Sequence, residues 1–148
     1  MSEETPETKE EETKEEILVW KKDTWGNFGQ HDNTYTFVID LETAEMKPVF
    51  EFINVRHVNK DSRKNFHRYT YASVTEIITK LQGKILKVIH DYASSSKRRI
   101  STIYYLVTPA GLKELNAETG LRDGSGFYDK LILDNKTIIV RKDKVEVK

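Results

Sequence analysis

The segment SVTEIITKLQGKILKVIHDYA (residues 73–93) decides which fold the sequence predicts. SVTE has the pattern of a capping box, in which the Ser73 hydroxyl accepts the backbone N–H of Glu76. After it, apolar side chains recur every three or four residues, which is the spacing of one helix face. Gly83 costs about 1 kcal/mol relative to alanine and does not outweigh the stripe. The segment therefore predicts one long amphipathic helix over 73–93. Its stripe consists of Val74, Ile77, Ile78, Leu81, Ile85, Val88, Ile89 and Tyr92.

Strand signals lie on both sides of this predicted helix. The runs 17–22 (ILVWKK), 34–41 (TYTFVIDL), 66–72 (FHRYTYA) and 100–107 (ISTIYYLV) are rich in β-branched and aromatic residues. In the second run, apolar and polar side chains alternate as they do in a half-buried strand. We therefore expect a mainly antiparallel sheet of four or more strands packed on the long helix.

The last third of the chain predicts two further elements. Thr108–Pro109 has the form of a cap followed by proline at the first helical position, which predicts a short second helix to about Asn116. The run 131–140 (LILDNKTIIV) predicts a C-terminal hairpin with Asp134–Asn135 near its tip. The order of strands, long helix, strand, short helix and hairpin is typical of the α+β class.

The net charge of zero is a cancellation between two parts of the chain. Residues 1–16 contain eight Glu and two Lys, a net charge of −6, and the remaining residues carry +6. The first part has no apolar residue after Met1, so it cannot bury enough surface to offset the entropy of ordering it. We expect a disordered acidic tail at 1–16 and a single α+β domain at 17–148. The tail either solubilises the protein or competes with an anionic ligand for the basic domain.

Composition also excludes several classes of protein. The absence of cysteine excludes disulfides and thiolate metal sites. No run approaches the ~18 apolar residues of a membrane helix, and no apolar leader begins the chain, so we expect a cytoplasmic protein with no membrane contact. The high Lys and Glu content, with only two glutamines, is typical of a thermophile. The GxGxxG, Walker A and GxSxG motifs are absent, so we expect neither a cofactor nor an enzyme.

Two groups of potential metal ligands leave a metal-dependent nuclease as a distant alternative. One is a set of carboxylates around a turn, and the other is a pair of hairpin histidines with an aspartate. Solvated turns explain both groups, so we expect no metal site and no catalytic residue. The two groups are Asp40, Glu42, Glu45 and Glu51, and His57, His67 and Asp61.

The run 56–71 (RHVNKDSRKNFHRYTY) combines basic and aromatic side chains against a single acid, Asp61. A binder of single-stranded nucleic acid needs Lys and Arg for the phosphates and aromatic rings for the bases. Stacking contributes ~1–3 kcal/mol per base, more than the ~0–1 kcal/mol of a surface ion pair. The predicted binding residues are Trp20, Trp25, Phe28, Tyr35, Arg56, Lys60, Arg63, Lys64, Phe66, Arg68, Tyr69 and Tyr71.

Other residues around this predicted site are assigned to its rim or to the core. Tyr69 and Tyr71 share one strand face, so we expect both to be buried or both exposed. Lys21, Lys22 and residues 97–99 can add to the basic rim. The aromatic residues assigned to the core are Phe37, Phe50, Phe52, Tyr104 and Tyr105.

An acidic start, the segment ILVWKKDTWGNFGQHDNTYTFVID (17–40), the basic–aromatic hairpin and the amphipathic helix together resemble the ThermoDBP family. These archaeal single-stranded DNA-binding proteins replace the usual OB-fold protein in some hyperthermophiles. The resemblance covers roughly residues 10–148. It implies an α+β domain whose cleft holds single-stranded DNA, with RNA as an alternative, without sequence preference and in DNA replication or repair.

The family also carries a helical dimerisation segment after the binding domain. The present sequence stops at KDKVEVK (142–148), so a homodimer of the family's kind would need a segment not present here. The alternative function is a protein-interaction or accessory domain, such as a viral one, in which the same aromatic surface packs against a partner chain.

Overall fold

Within residues 15–26, 29–62 and 65–148, the part of the chain that this computed structural model describes, the backbone forms two antiparallel β-sheets. The first sheet contains β1 (Glu16–Asp23), β2 (His31–Asp40), β3 (Glu45–Pro48), β4 (Arg56–Ser62), β5 (Asn65–Ser73), β6 (Ile85–Ala93), β7 (Arg98–Thr108) and β8 (Gly111–Leu115). The second contains β9 (Ala117–Asp123), β10 (Gly126–Leu133), β11 (Lys136–Val140) and β12 (Val145–Val147). A 3-10 turn (Val49–Glu51) and one α-helix, α1 (Val74–Lys80), complete the described elements.

The order of the first sheet is β4-β5-β1-β2-β6-β7-β8, and β3 pairs with the far end of β2. The order of the second sheet is β12-β11-β10-β9. β6 is thus a central strand, bonded to β2 on one side and to β7 on the other. The predicted packing of a sheet on one long helix is wrong, because the described chain is mostly antiparallel sheet.

The predicted helix over 73–93 is wrong beyond its first two turns. Its start is as expected, since the Ser73 hydroxyl accepts the backbone N–H of Glu76 at 3.3 Å. The helix ends at Lys80, and its last turn closes with the backbone N–H of Leu81 donating to the carbonyl of Ile77 at 2.9 Å. Gly83 then takes a φ of 82°, which turns the chain into β6.

The apolar residues of 85–92 have helical spacing because β6 buries side chains on both of its faces. A strand of this kind is apolar at nearly every position and so also contains the i, i+3, i+4 pattern. Ile85 and Leu86 are adjacent in the chain and therefore point to opposite faces, yet they are 0% and 2% exposed. A short apolar run of this kind fits either a buried helix or a buried central strand. The pairing of β6 between β2 and β7 settles the choice in favour of the strand.

Replacing Gly83 with alanine is expected to lower the free energy of unfolding by about 1 kcal/mol, because a side chain at positive φ is strained. Within a continuous helix the same change would raise it by about 1 kcal/mol. Chemical denaturation of the two proteins therefore distinguishes the structures by sign. Gly124→Ala is the matched control, since Gly124 has no positive φ and the position of an added Cβ is open. A more stable Gly83→Ala protein would contradict the strand assignment.

The predicted second helix from Thr108–Pro109 to about Asn116 is also wrong. These residues form a tight β7–β8 turn in which Thr108 pairs with Gly111. The Thr108 hydroxyl donates to the carbonyl of Gly111 at 2.8 Å and accepts the N–H of Ala110 at 3.2 Å. Threonine and proline stabilise this turn for the same reason that they are favoured at the start of a helix. The hydroxyl accepts a free N–H, and proline needs none.

Other local predictions are confirmed. The run 17–22 lies in β1, 66–72 lies in β5, and 100–107 lies in β7. The C-terminal hairpin has Asp134–Asn135 at its tip, because Leu133 pairs with Lys136 across them. The sequence predicts these elements well because turn chemistry and β-branched runs act over only a few residues.

Two apolar clusters cover opposite faces of the same end of the first sheet. Val38 and Leu86 pack beneath Ile77 of α1. Ile39 and Ile85, their chain neighbours, pack against the second sheet through a cluster completed by Tyr104, Leu131, Ile138, Val140 and Val145. The other ends of β2 and β6 carry polar and aromatic side chains, and the candidate site lies there and on the adjoining strands.

Candidate functional site

A groove of about 400 Å³ crosses one face of the first sheet over β4, β5, β1 and β2. We call it the aromatic groove. Its lining residues are Trp20, Lys22, Tyr35, Phe50, His57, Arg68 and Thr70.

Strand register brings the groove residues together. Trp20 pairs with Tyr35 of β2 on one side and with Thr70 of β5 on the other. Thr70 in turn pairs with His57, and the His57 Nδ1 lies 3.3 Å from the Thr70 hydroxyl. Direct cross-strand neighbours lie on the same face of a sheet. The groove is therefore a row of neighbouring side chains from four strands, held by backbone pairing.

Trp20 is the centre of an aromatic cluster. Its ring lies 4.6 Å from that of Tyr35 and 5.3 Å from that of Phe50, both in edge-to-face geometry. Trp20 and Tyr35 are half-buried, while Phe50, which comes from the 3-10 turn, is 42% exposed. The cluster thus combines fixed rings with one ring surface that is open to a ligand.

The two charged side chains among the described residues that line the aromatic groove are both cationic. Lys22 and Arg68 pair across β1 and β5, and both are exposed. No carboxylate is found among the residues of this lining that the structure describes. A planar, partly apolar and anionic ligand is therefore the chemistry that this lining matches.

Sequence reasoning found part of this groove and missed part of it. It named Trp20, Tyr35 and Arg68, and it placed Lys22 on the rim. It assigned Phe50 to the core, and that assignment is wrong, because Pro48 and the short 3-10 turn hold the ring at the surface instead of within a strand. His57 was considered only as a potential metal ligand, because its place in the groove depends on the β4–β5 register.

Tyr69 and Tyr71 are both half-buried and lie on the opposite face of β5 from Arg68 and Thr70. The Tyr69 hydroxyl is 3.5 Å from the Asp23 carboxylate. The Arg56 guanidinium covers the Tyr71 ring at 5.2 Å and forms an ion pair with Glu16. The structure therefore does not bring Arg56, Tyr69 and Tyr71 together with Trp20 and Arg68.

Trp25 lies neither in the aromatic groove nor on the face of β5 that carries Tyr69 and Tyr71. Its ring lies 5.8 Å from that of Tyr92, beside a second groove of about 510 Å³. The lining of this second groove is Asp32, His90, Tyr92, Lys97, Arg99 and Ser101. Its charge is mixed. Burial opposes ionisation of Asp32, but hydrogen bonds from His90 at 2.7 Å and Lys21 at 3.0 Å hold the pKa of that carboxyl below its usual range.

For the remaining predicted site residues, the structure describes either the backbone alone or nothing. Phe28, Arg63 and Lys64 lie outside the described residues. Lys60 and Phe66 lie in β4 and β5, where the description of these positions extends to the backbone pairing alone.

The histidines do not gather around a metal site. His57 pairs with Thr70, whereas His67 pairs with Lys60 and its Nδ1 lies 2.6 Å from Asp23. His57 and His67 therefore do not face each other across the hairpin. Within the described ranges, no group of three or more His, Cys, Asp or Glu side chains is placed to hold a metal ion.

Asp40, from the predicted carboxylate cluster, serves the β2–β3 turn instead. It accepts the backbone N–H of Glu42 at 2.9 Å and forms an ion pair with Lys84 at 3.2 Å. Among the described residues, no helix is long and apolar enough to cross a membrane.

No protein-family model, curated protein or solved structure matches this chain. The resemblance to the ThermoDBP family, and the archaeal origin and the replication or repair role that it implies, therefore stay predictions from the sequence.

Proposed function

We propose that the protein binds single-stranded nucleic acid in the aromatic groove, without sequence preference and without catalysing a reaction. Bases stack on the exposed ring surfaces around Trp20 and Phe50, and phosphates lie against Lys22 and Arg68. The resemblance to the ThermoDBP family favours DNA over RNA as the natural ligand.

One observation carries this proposal: among the described residues, three aromatic rings and two cationic side chains line one groove, and no carboxylate lines it. Stacking is tolerant of sequence, because every base has a π face, and Lys and Arg contact phosphates whatever the base. A duplex hides its base faces, so a stacking groove discriminates against it.

Fluorescence tests the proposal directly. The chain has two tryptophans, and Trp25 lies outside the groove. A Trp25→Phe protein therefore reports on Trp20 alone, and titration with an oligothymidylate is expected to quench that emission to saturation. A duplex of the same length is expected to bind more weakly. Equal affinity for duplex and single strand would contradict stacking as the mode of binding.

The dependence of affinity on salt gives a second prediction, at Lys22. Each phosphate contact on a single strand contributes about −0.7 to the slope of log K against log salt, so Lys22 and Arg68 together give roughly −1.4. Lys22→Ala is expected to make that slope shallower by about 0.7. Lys47→Ala is the matched control, since Lys47 is an exposed lysine that does not line the groove. If both variants shift the slope equally, the groove is not the phosphate site.

A protein partner is the second candidate, favoured by the 42% exposure of Phe50 beside Trp20. In that case the aromatic groove would pack against a second protein chain, which can be another copy of this one. Light scattering that shows stable self-association, lost in Phe50→Ala, combined with no quenching by oligonucleotides, would support this candidate over the first.

A further inference from the structure

A cavity of about 170 Å³ lies between α1 and the first sheet, separate from the aromatic groove. Its walls come from β1, β2, the 3-10 turn, α1, β6, β7 and β8, and they share no residue with the groove. Val19, Val49, Ile77 and Leu86, each at most 2% exposed, form much of the wall. These wall residues belong to the apolar cluster between α1 and the first sheet, so packed elements enclose the cavity on both sides.

As far as the chain is described, the cavity wall is apolar apart from two hydroxyl side chains, Thr36 and Tyr105, and contains no charged residue. Thr36 is 3% exposed, and its Oγ1 has no hydrogen-bond partner among the described residues. Buried polar groups in folded proteins nearly always have a partner, so an unpartnered hydroxyl in a cavity wall is a position where a ligand can donate or accept a hydrogen bond.

We propose that this cavity binds a small neutral molecule with one ring and one hydroxyl group, of about the size of phenol. The size follows from volume, because an apolar cavity of about 150 Å³ accommodates a benzene ring. The absence of charge follows from the lining, because an ion would be desolvated here without a counter-ion. The single hydroxyl of the ligand completes the hydrogen bonding of Thr36 Oγ1. The site does not depend on nucleic-acid binding.

Titration of the isotope-labelled full chain, followed by amide chemical shifts, tests the site with phenol, benzene and benzoate as probes. Phenol is expected to produce saturable shifts at Thr36, Ile77 and Leu86. Benzene is expected to shift the same amides with an affinity about threefold to tenfold lower, the difference that one hydrogen bond gives. Benzoate, which has the ring but carries a charge, is expected to leave them unchanged.

Thr36→Val is the matched variant, since valine has the shape of threonine without the hydroxyl. It is expected to bind phenol and benzene with equal affinity. Val88→Phe, which adds a ring to the cavity wall, is expected to abolish binding of both. The absence of saturable shifts with either ring in the unmodified protein would overturn the site. A preference for phenol that survives in Thr36→Val would overturn the role of Thr36.

Discussion

Replacing Asp129 with alanine is expected to lower the free energy of unfolding by about 2–3 kcal/mol, the cost of leaving buried polar groups without their partner. Asp129 of β10 accepts the hydroxyl of Tyr104 and, at 3.0 Å, the N–H of Gly120. Tyr104 is fully buried and pairs with Lys87, which is only 7% exposed. Without the carboxylate, a buried hydroxyl loses its acceptor and a buried lysine loses its nearby negative charge.

Chemical denaturation of three variants separates these contributions. Asp129→Asn keeps an acceptor for Tyr104 but removes the charge. We expect it to lose less stability than Asp129→Ala does, relative to the unmodified protein. Tyr104→Phe removes only the hydroxyl and is expected to cost about 1–2 kcal/mol. Glu114→Ala, an exposed acid on β8, is the control and is expected to change stability by less than about 0.5 kcal/mol. Equal stability of Asp129→Ala and Glu114→Ala would contradict the cluster.

The pH dependence of stability provides a check on the same cluster. Burial lowers the pKa of Lys87, so the unfolded state binds more protons between the two values and stability rises with pH towards about 10.4. Burial and the hydrogen bond to Asp129 raise the pKa of Tyr104 strongly. Above about pH 10 only the unfolded tyrosine ionises, and stability falls. Tyr104→Phe is expected to make this alkaline fall smaller, and the remainder belongs to Tyr35 and Tyr69, whose pKa values burial also raises. Lys87→Met is expected to lose the rise that precedes it.

The same cluster shows why the sequence predicted short elements and not the arrangement of the sheets. Ser73 and the Asp134–Asn135 turn act on backbone groups within three residues, so their effect can be read locally. Lys87, Tyr104 and Asp129 come from three strands, and their contact depends on how the second sheet packs on the first. In the sequence, Lys87 lies between apolar residues at helical spacing, and this pattern predicts that it occupies the exposed side of a helix. In the structure it is buried, because β6 has neighbours on both edges and cover on both faces.

The division of the predicted site residues between different surfaces could not be read from the sequence for a related reason. Composition showed that basic and aromatic residues cluster between 56 and 71. Without the pairing partners of each strand, it could not show which side chains of other strands share a face with them. Alternation places Arg68 and Tyr69 on opposite faces of β5, so only one of them lines the groove with Trp20. Phe50 joins that groove from a turn that lies outside the hairpin. The residue types were therefore predictable, and their division between surfaces was not.

Phe50→Ala is expected to weaken binding of single-stranded DNA by about 5-fold to 150-fold, equivalent to the ~1–3 kcal/mol that one base stack contributes. Phe50 is the most open ring of the aromatic groove, and its edge-to-face contact with Trp20 holds the ring in place for a base to stack on its open face. The loss should appear in fluorescence titrations at constant salt, with the salt slope unchanged, because no phosphate contact is removed.

Phe127→Ala is the matched control for this substitution. Phe127 is 66% exposed on β10, it contacts the guanidinium of Arg122 at 5.3 Å, and it does not line the aromatic groove. Both variants remove one exposed ring from a surface that also carries an arginine or a lysine, so a general loss of apolar surface would affect them alike. A difference confined to Phe50→Ala assigns the stacking to the aromatic groove. Equal weakening in the two variants would instead show that DNA is held by non-specific contacts spread over both sheets.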